Sequence, residues 1–137
     1  MIAVVYGEVL LPEGVKLIER PLKNKIVIEL ERVVYLPIRR LTLRELWRKA
    51  TRDITNKYFD LWIAKKLIEE NVVPDNINNI LCFGSVLSKG EDFLVPCIRR
   101  EAGGRKIDYI EVSQSVDEGF MMGYLTPSKR PSKHHIF

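Results

Sequence analysis

Residues 93–113 read FLVPCIRREAGGRKIDYIEVS, and this stretch decides how the rest of the chain can fold. Two apolar runs, Phe93–Ile98 and Lys106–Ser113, flank the segment Ala102-Gly103-Gly104. β-Branched and aromatic residues favour strands, and glycine supplies the positive φ that a tight connection needs. We therefore predict an antiparallel hairpin at residues 93–113, and we expect it to be the last hairpin of the chain.

Upstream of the hairpin, two helices are predicted within residues 43–72. Thr42-Leu43-Arg44-Glu45 has the spacing of a capping box, which favours a helix beginning at Leu43. Apolar residues then recur every three or four positions, and basic residues occupy the opposite side of this helix. A second and more apolar helix is predicted from Thr55 to about Val72, since Pro74 follows it. The basic residues of the first helix are Arg44, Arg48, Lys49 and Arg52.

The other apolar runs predict strands. The first forty residues are rich in Val, Ile and Leu and are interrupted by glycines and prolines, as is typical of short strands. Ile26–Leu36 fits a strand by composition and a helix by spacing, and propensity favours the strand. Ile80–Leu87 is predicted as a strand that ends in a turn at Ser88-Lys89-Gly90.

These elements predict a mixed α/β or α+β fold. Its amino-terminal part is β-rich, its two helices are central and its carboxy-terminal part is an antiparallel sheet. We expect one globular domain over residues 1–125 and a basic, flexible tail over 126–137. The chain has 137 residues, of which 46% are hydrophobic, and this is enough for one core.

Composition excludes several classes of protein. Charged residues make up 29% of the chain and the net charge is only +4, so wholesale disorder is excluded. Two cysteines are too few for a disulfide-stabilised secreted fold, and no leader or long apolar segment indicates a membrane. We therefore expect a cytoplasmic protein without a membrane partner.

The basic residues near the hairpin and in the tail are candidates for binding nucleic acid. Four of them lie at the predicted hairpin tip and three in a tail that contains no acidic residue, so that together they could form one phosphate-facing surface. The alternative is that they are ordinary solubilising charges. The candidate nucleic-acid-binding residues are Arg99, Arg100, Arg105, Lys106, Lys129, Arg130 and Lys133.

No catalytic, metal-binding or cofactor-binding residue is predicted. The only histidines, His134 and His135, are adjacent in the tail and cannot hold the geometry of a triad. Phe83-Gly84-Ser85 resembles the Gly-Ser motif of nucleotidyltransferases, but the paired aspartates that would hold metal ions are missing. The aromatic residues at helical spacing are predicted to be core residues and not a base-stacking platform; they are Trp47, Tyr58, Phe59 and Trp62.

Several segments resemble the archaeal tRNA-splicing endonuclease family. LERVVYL at 30–36 and LTLREL at 41–46 are similar to the family's EALYL segment and LTFEEL helix, and YFDLWIAKKLIEENVV at 58–73 is similar to its long helix. KGEDFLV at 89–95 resembles the family's FGADFxVY strand; alternatively, residues 93–113 resemble its closing hairpin. The resemblance implies a helix at 29–36.

The same resemblance implies a subunit without catalytic groups. Family members cleave RNA without metal through a Tyr, a His and a Lys. The Tyr position falls on Pro96, the segment Arg99–Lys106 where the His would follow contains no histidine, and Lys89 is only a weak counterpart of the Lys. The chain is therefore expected to be a structural subunit that assembles with a catalytic endonuclease chain and binds precursor tRNA. The alternative is a small basic nucleic-acid-binding module, or a protein of a virus or mobile element, without enzymatic activity.

Overall fold

A computed structural model of the protein describes residues 1–19, 21, 23–38, 42–52, 57–116 and 119–126. These residues form a mixed α+β structure that is mostly sheet, as the sequence predicts at this coarse level. The helices are Leu43–Arg52 (α1) and Leu61–Glu69 (α2), with a 3-10 turn at Leu30–Arg32. The strands are Ile2–Val5 (β1), Val15–Leu17 (β2), Lys25–Ile28 (β3), Val33–Pro37 (β4), Lys57–Tyr58 (β5), Asn79–Leu81 (β6), Leu87–Lys89 (β7), Asp92–Glu101 (β8), Gly104–Glu111 (β9) and Phe120–Leu125 (β10).

Strand β8 organises the main sheet, which is open. On one side, residues Leu94–Glu101 of β8 pair antiparallel with β9. On the other side, β8 pairs antiparallel first with β7 and then with β6. Strand β10 runs parallel to β6, and it pairs antiparallel with β4 and with β5. Strand β2 extends the sheet beyond β7, whereas β1 and β3 form a separate two-stranded ribbon.

Both faces of the main sheet are covered. On one face, α2 and the β1–β3 ribbon pack over apolar side chains such as Ile80 and Ile98. On the other face, α1 packs over the neighbouring residues Leu81 and Cys97. Successive side chains of a strand point to opposite faces, so one stretch of sequence contributes to both cores. This arrangement explains why the middle of β8 reads as a continuous apolar run.

The predicted hairpin is confirmed, with modified strand limits. Strands β8 and β9 pair from Leu94↔Glu111 to Glu101↔Gly104, and the chain turns at Ala102 and Gly103. Gly103 has a φ of +86°, as the turn requires. The β8–β9 hairpin is the last hairpin among the described residues, but a further strand, β10, follows it and was not predicted; β10 pairs with β4, β5 and β6.

The predicted strand at 80–87 is wrong as a single element. Its two ends belong to β6 and β7, and the residues between them, 82–86, lie in no strand and turn at Phe83 and Gly84. Ser88 and Lys89 belong to β7, so the following turn lies at Gly90 and Glu91. The strand predicted at 26–36 is also wrong as a single element, because a 3-10 turn at Leu30–Arg32 separates β3 of the ribbon from β4 of the main sheet. The helix that the family resemblance implies at 29–36 is reduced to this 3-10 turn.

The second helix begins at Leu61 and not at Thr55. Lys57 and Tyr58 pair with β10, and the pairing keeps them extended. Asp60 then caps α2: its Oδ1 accepts a hydrogen bond from the Ile63 amide at 2.8 Å, and its Oδ2 accepts one from the Tyr6 hydroxyl at 2.7 Å. The first helix begins where it is predicted, because the Glu45 amide donates to Thr42 Oγ1 at 3.2 Å. The Glu45 carboxylate accepts from the Thr42 hydroxyl.

Phe59 is fixed between two glycines. Its amide donates to the Gly123 carbonyl at 3.1 Å, and its carbonyl accepts from the Gly84 amide at 2.8 Å. A Cβ at Gly84 would lie within 3.0 Å of the Phe59 backbone, and a Cβ at Gly123 would lie within 3.0 Å of the Phe59 ring. Beside them, Ser85 Oγ accepts from the Leu61 amide at 2.9 Å. The Phe83-Gly84-Ser85 motif therefore has a structural role.

We predict that Gly123→Ala lowers the free energy of unfolding by about 1–3 kcal/mol, because the added methyl group would overlap the buried Phe59 ring. Gly7→Ala is the matched control, since a Cβ there meets no atom within 4 Å, and it should have little effect. Urea denaturation measures both changes. In a Phe59→Leu background the cost of Gly123→Ala should shrink; an equal cost in the two backgrounds would contradict the proposed overlap.

Asp60 should make stability depend on pH. Burial raises the pKa of Asp60 above its ordinary value of 3.8, although hydrogen bonds from Ile63 and Tyr6 act in the opposite direction. The folded state therefore binds the proton more tightly than the unfolded chain, so stability from this group is present below pH 3.8 and is lost as pH rises through the raised pKa. Denaturation of wild type and Asp60→Asn across pH should show the wild type losing stability relative to the variant as pH rises. The opposite trend would contradict this assignment.

Candidate nucleic-acid interface

The β8–β9 hairpin brings together the four predicted cations of its tip. In the register of the hairpin, Arg99 lies opposite Lys106 and Arg100 lies opposite Arg105. Residues directly opposite each other in an antiparallel pair share one face of the sheet, and neighbours along a strand do not. The four cations therefore form two pairs that point to opposite faces, and not one continuous surface.

Arg100 and Arg105 lie on the α2 face and hold the loop that follows this helix. Arg105 Nη2 donates to the carbonyls of Pro74, at 2.7 Å, and of Ile77, and Arg100 Nη1 donates to the carbonyl of Asp75. These contacts span 25 to 31 residues of sequence. Both arginines thus have a structural role in addition to any role in binding.

A groove of about 680 Å³ lies between the end of α2 and the hairpin, beside these two arginines. Arg105 Nη1 is buried there and has no hydrogen-bond partner in the described residues. Burial, and next the charge of Arg100, lower the pKa of Arg105, and the guanidinium nevertheless remains charged. An anion would relieve both the missing hydrogen bond and the repulsion between the arginines, although Asp75 and Glu101 also line the groove.

On the opposite face, Arg99 is already paired. Its Nε lies 3.2 Å from Asp108 Oδ2, and its guanidinium carbon lies 5.8 Å from the centre of the Phe120 ring. Lys106 is exposed, and no described residue forms an ion pair with it. Lys106 is therefore the more accessible cation of this face.

The tail candidates Lys129, Arg130 and Lys133 lie outside the described residues, as do His134 and His135. Thr126, the first residue of the predicted tail, is held in place. Its amide donates to the Arg32 carbonyl at 2.8 Å, and its carbonyl accepts from Arg32 Nε at 2.7 Å. These two hydrogen bonds tie Thr126 to the residue that precedes β4.

The groove includes residues that sequence reasoning missed. Asn71 follows the C-cap of α2 with a φ of +53°, and Glu101 is the last residue of β8. The helix predicted from Thr55 to about Val72 includes Asn71, although an asparagine near a helix end is typical of a left-handed cap. It contains no signal for the contact between this cap and the hairpin, because that contact depends on how α2 crosses the sheet.

The His, Cys, Asp and Glu side chains of the described residues are dispersed. Among those residues, no three His, Cys, Asp or Glu side chains are grouped so that they could hold a metal ion. Cys82 and Cys97 are free and buried on opposite sides of the sheet, and burial is the main cause that raises the pKa of each thiol. Neither described helix is long and apolar enough to cross a membrane.

Comparison with known proteins gave no family model, no curated protein and no solved structure that matches this chain.

We predict that Arg105→Gln lowers the free energy of unfolding by about 1 kcal/mol, because the carbonyls of Pro74 and Ile77 lose a charged donor. Lys106→Gln is the matched control, since it removes the same charge from the adjacent position without a described hydrogen bond, and its effect should stay within about 0.5 kcal/mol. Chemical denaturation measures both. Equal effects would show that Arg105 does not hold the loop.

Proposed function

We propose that this protein is a non-catalytic, cytoplasmic RNA-binding subunit that assembles with a catalytic tRNA-splicing endonuclease chain and contacts precursor tRNA. The observation that carries the RNA-binding part is the register of the β8–β9 hairpin. It concentrates Arg99, Arg100, Arg105 and Lys106 within two adjacent rungs of the sheet. Cations placed on an exposed tip suit a phosphate backbone, which dominates the affinity of proteins for nucleic acid.

The proposed lack of catalysis is supported by the residue that the resemblance aligns with the family's tyrosine. This residue is Pro96, which is buried in the middle of β8 and has no proton to exchange. The family's histidine and lysine have no convincing counterpart in the sequence either. A chain without these three groups would act by completing an assembly and by binding substrate.

Strand pairing is the proposed mode of assembly. The resemblance implies contact through the last strands, but β10 is flanked by β4 on one side and by β5 and β6 on the other. Strand β9 pairs only with β8 among the described strands, so its outer edge has no strand beside it there. This edge lies next to the cationic tip, and a strand of a partner chain could pair with it. We therefore assign partner contact to β9.

A second candidate function is a self-sufficient basic module that binds nucleic acid alone. The extended backbone of residues 33–36 favours it, because the resemblance implies a helix there. The two functions differ in solution behaviour: a subunit should bind a catalytic chain stably, whereas a module should remain a monomer that binds RNA without help.

The proposal predicts that the isolated chain binds precursor tRNA but does not cleave it, and that cleavage appears when a catalytic chain of the splicing endonuclease family is added. Gel-shift and cleavage assays measure the two activities. Cleavage by the isolated chain would overturn the non-catalytic assignment. Binding without any effect on, or association with, the catalytic chain would favour the self-sufficient module.

The hairpin is tested in the same binding assay. Arg100→Gln combined with Lys106→Gln removes one cation from each face of the sheet. It leaves the hydrogen bonds of Arg105 to the loop after α2 in place. The slope of log affinity against log salt should fall by about 1.5, since each phosphate contact contributes roughly 0.7 to 0.9. Lys16→Gln with Lys25→Gln is the control, because both lysines are exposed on strands away from the hairpin. No RNA binding by the wild type would refute the proposed function itself.

A further inference from the structure

The exposed side of α1 is a cationic stripe. Arg44, Arg48 and Arg52 are spaced four residues apart and are all exposed, so they follow one side of the helix at intervals of about 6 Å. The single acidic residue of α1, Glu45, is engaged with Thr42 at the start of the helix. Neither Arg44 nor Arg48 forms an ion pair with any described residue.

An aromatic pair lies directly beside this stripe. The rings of Trp47 and Phe93 are stacked, with their centres 5.3 Å apart and their planes 24° from parallel. Trp47 is only partly buried against the core beneath α1, and 43% of Phe93 is exposed at the start of β8. Helical spacing predicts Trp47 as a core residue, and in the structure it covers the core and also reaches the surface.

A groove of about 240 Å³ joins the stripe to the aromatic pair. Its lining includes two cations and the aromatic pair, which are Arg44, Arg48, Trp47 and Phe93. Glu91 and Asp92 line it at the turn between β7 and β8. The indole N–H of Trp47 is buried and has no acceptor in the described residues. A buried donor without an acceptor costs free energy, and an acceptor on a bound molecule would recover it.

We propose that this groove binds a nucleotide of single-stranded RNA, with a base against Phe93 and phosphates along Arg44, Arg48 and Arg52. Its components are those of single-strand recognition: an aromatic ring for stacking and a line of cations that follows the backbone. The carboxylates of Glu91 and Asp92 can accept hydrogen bonds from the amino group of a base. A paired strand would not fit, because its bases are stacked inside the duplex and cannot reach the ring.

This inference rests on the proposed RNA-binding function but concerns a different surface. The groove lies on the α1 face of the sheet, whereas Arg100 and Arg105 lie on the α2 face. Arg99 and Lys106 share the α1 face with the groove, but Arg99 is six residues from Phe93 along β8, a distance of about 20 Å. The two surfaces can therefore be tested by separate substitutions.

The test uses the full chain with Trp62→Phe, so that Trp47 is its only tryptophan. Titration with a single-stranded oligoadenylate RNA should quench Trp47 fluorescence, and the same RNA annealed to its complement should not. Phe93→Ala should weaken binding about tenfold, whereas Phe93→Tyr, which keeps the ring, should restore it. Arg44→Gln with Arg48→Gln should lower the salt slope by about 1.4, and the control Lys16→Gln with Lys25→Gln should not.

Each alternative result has a definite meaning. Unchanged affinity in Phe93→Ala, with folding verified by circular dichroism, would overturn the groove as a base site and leave Phe93 as a cover for Trp47. Equal quenching by duplex and single strand would also overturn it. Loss of binding only in the Arg100→Gln, Lys106→Gln variant would leave the proposed function standing and refute this second surface. If the wild type binds no RNA at all, the proposed function fails together with the groove.

Discussion

The position of Phe59 between Gly84 and Gly123 is the constraint on which the rest of the structure depends. Phe59 forms one hydrogen bond with each glycine; its backbone occupies the space that a side chain at Gly84 would need, and its ring occupies the space at Gly123. The ring also meets Tyr35 edge-on, with 5.9 Å between the centres. Three other segments of the chain, those of Tyr35, Gly84 and Gly123, therefore meet at Phe59, and α2 begins two residues after this anchor, at Leu61.

From this anchor, α2 crosses one face of the sheet and its carboxyl end reaches the β8–β9 hairpin. The loop after α2 is then fastened to the hairpin by Arg100 and Arg105. The same arginines that are candidates for RNA thus also set the shape of the groove beside them. Binding and folding share these residues, and for this reason the tests separate affinity from stability.

The sequence predicts local features well where a few neighbouring residues decide them. Ala102-Gly103-Gly104 predicts the hairpin turn, and Thr42 and Glu45 predict the start of α1. The prediction fails where distant segments decide. Lys57 and Tyr58 have helical spacing with the residues of α2, but pairing with β10 holds them extended. Strand β10 itself carries Gly123, which weakens its propensity, and the requirement for glycine becomes visible only with Phe59 in place.

The candidate site, too, can be predicted from the sequence only in its local features. The sequence identifies the four basic residues of the hairpin, but only the register reveals that they form two pairs on opposite faces. The basic side of α1 is also visible in the sequence. Phe93 stacks on Trp47 but lies 46 residues after it in the sequence, so no local pattern connects the two rings.

The position of β10 has a consequence for the order of folding. Although β10 is the last described strand along the chain, it lies inside the sheet, where it separates β4 from β6. Strand β4 therefore cannot join the main sheet, and Phe59 cannot be enclosed, until residue 125 has been synthesised. Contacts of such long sequence separation form slowly, so a nascent chain that ends before β10 exposes the unpaired edges of β4 and β6 and the core residues that β10 would cover.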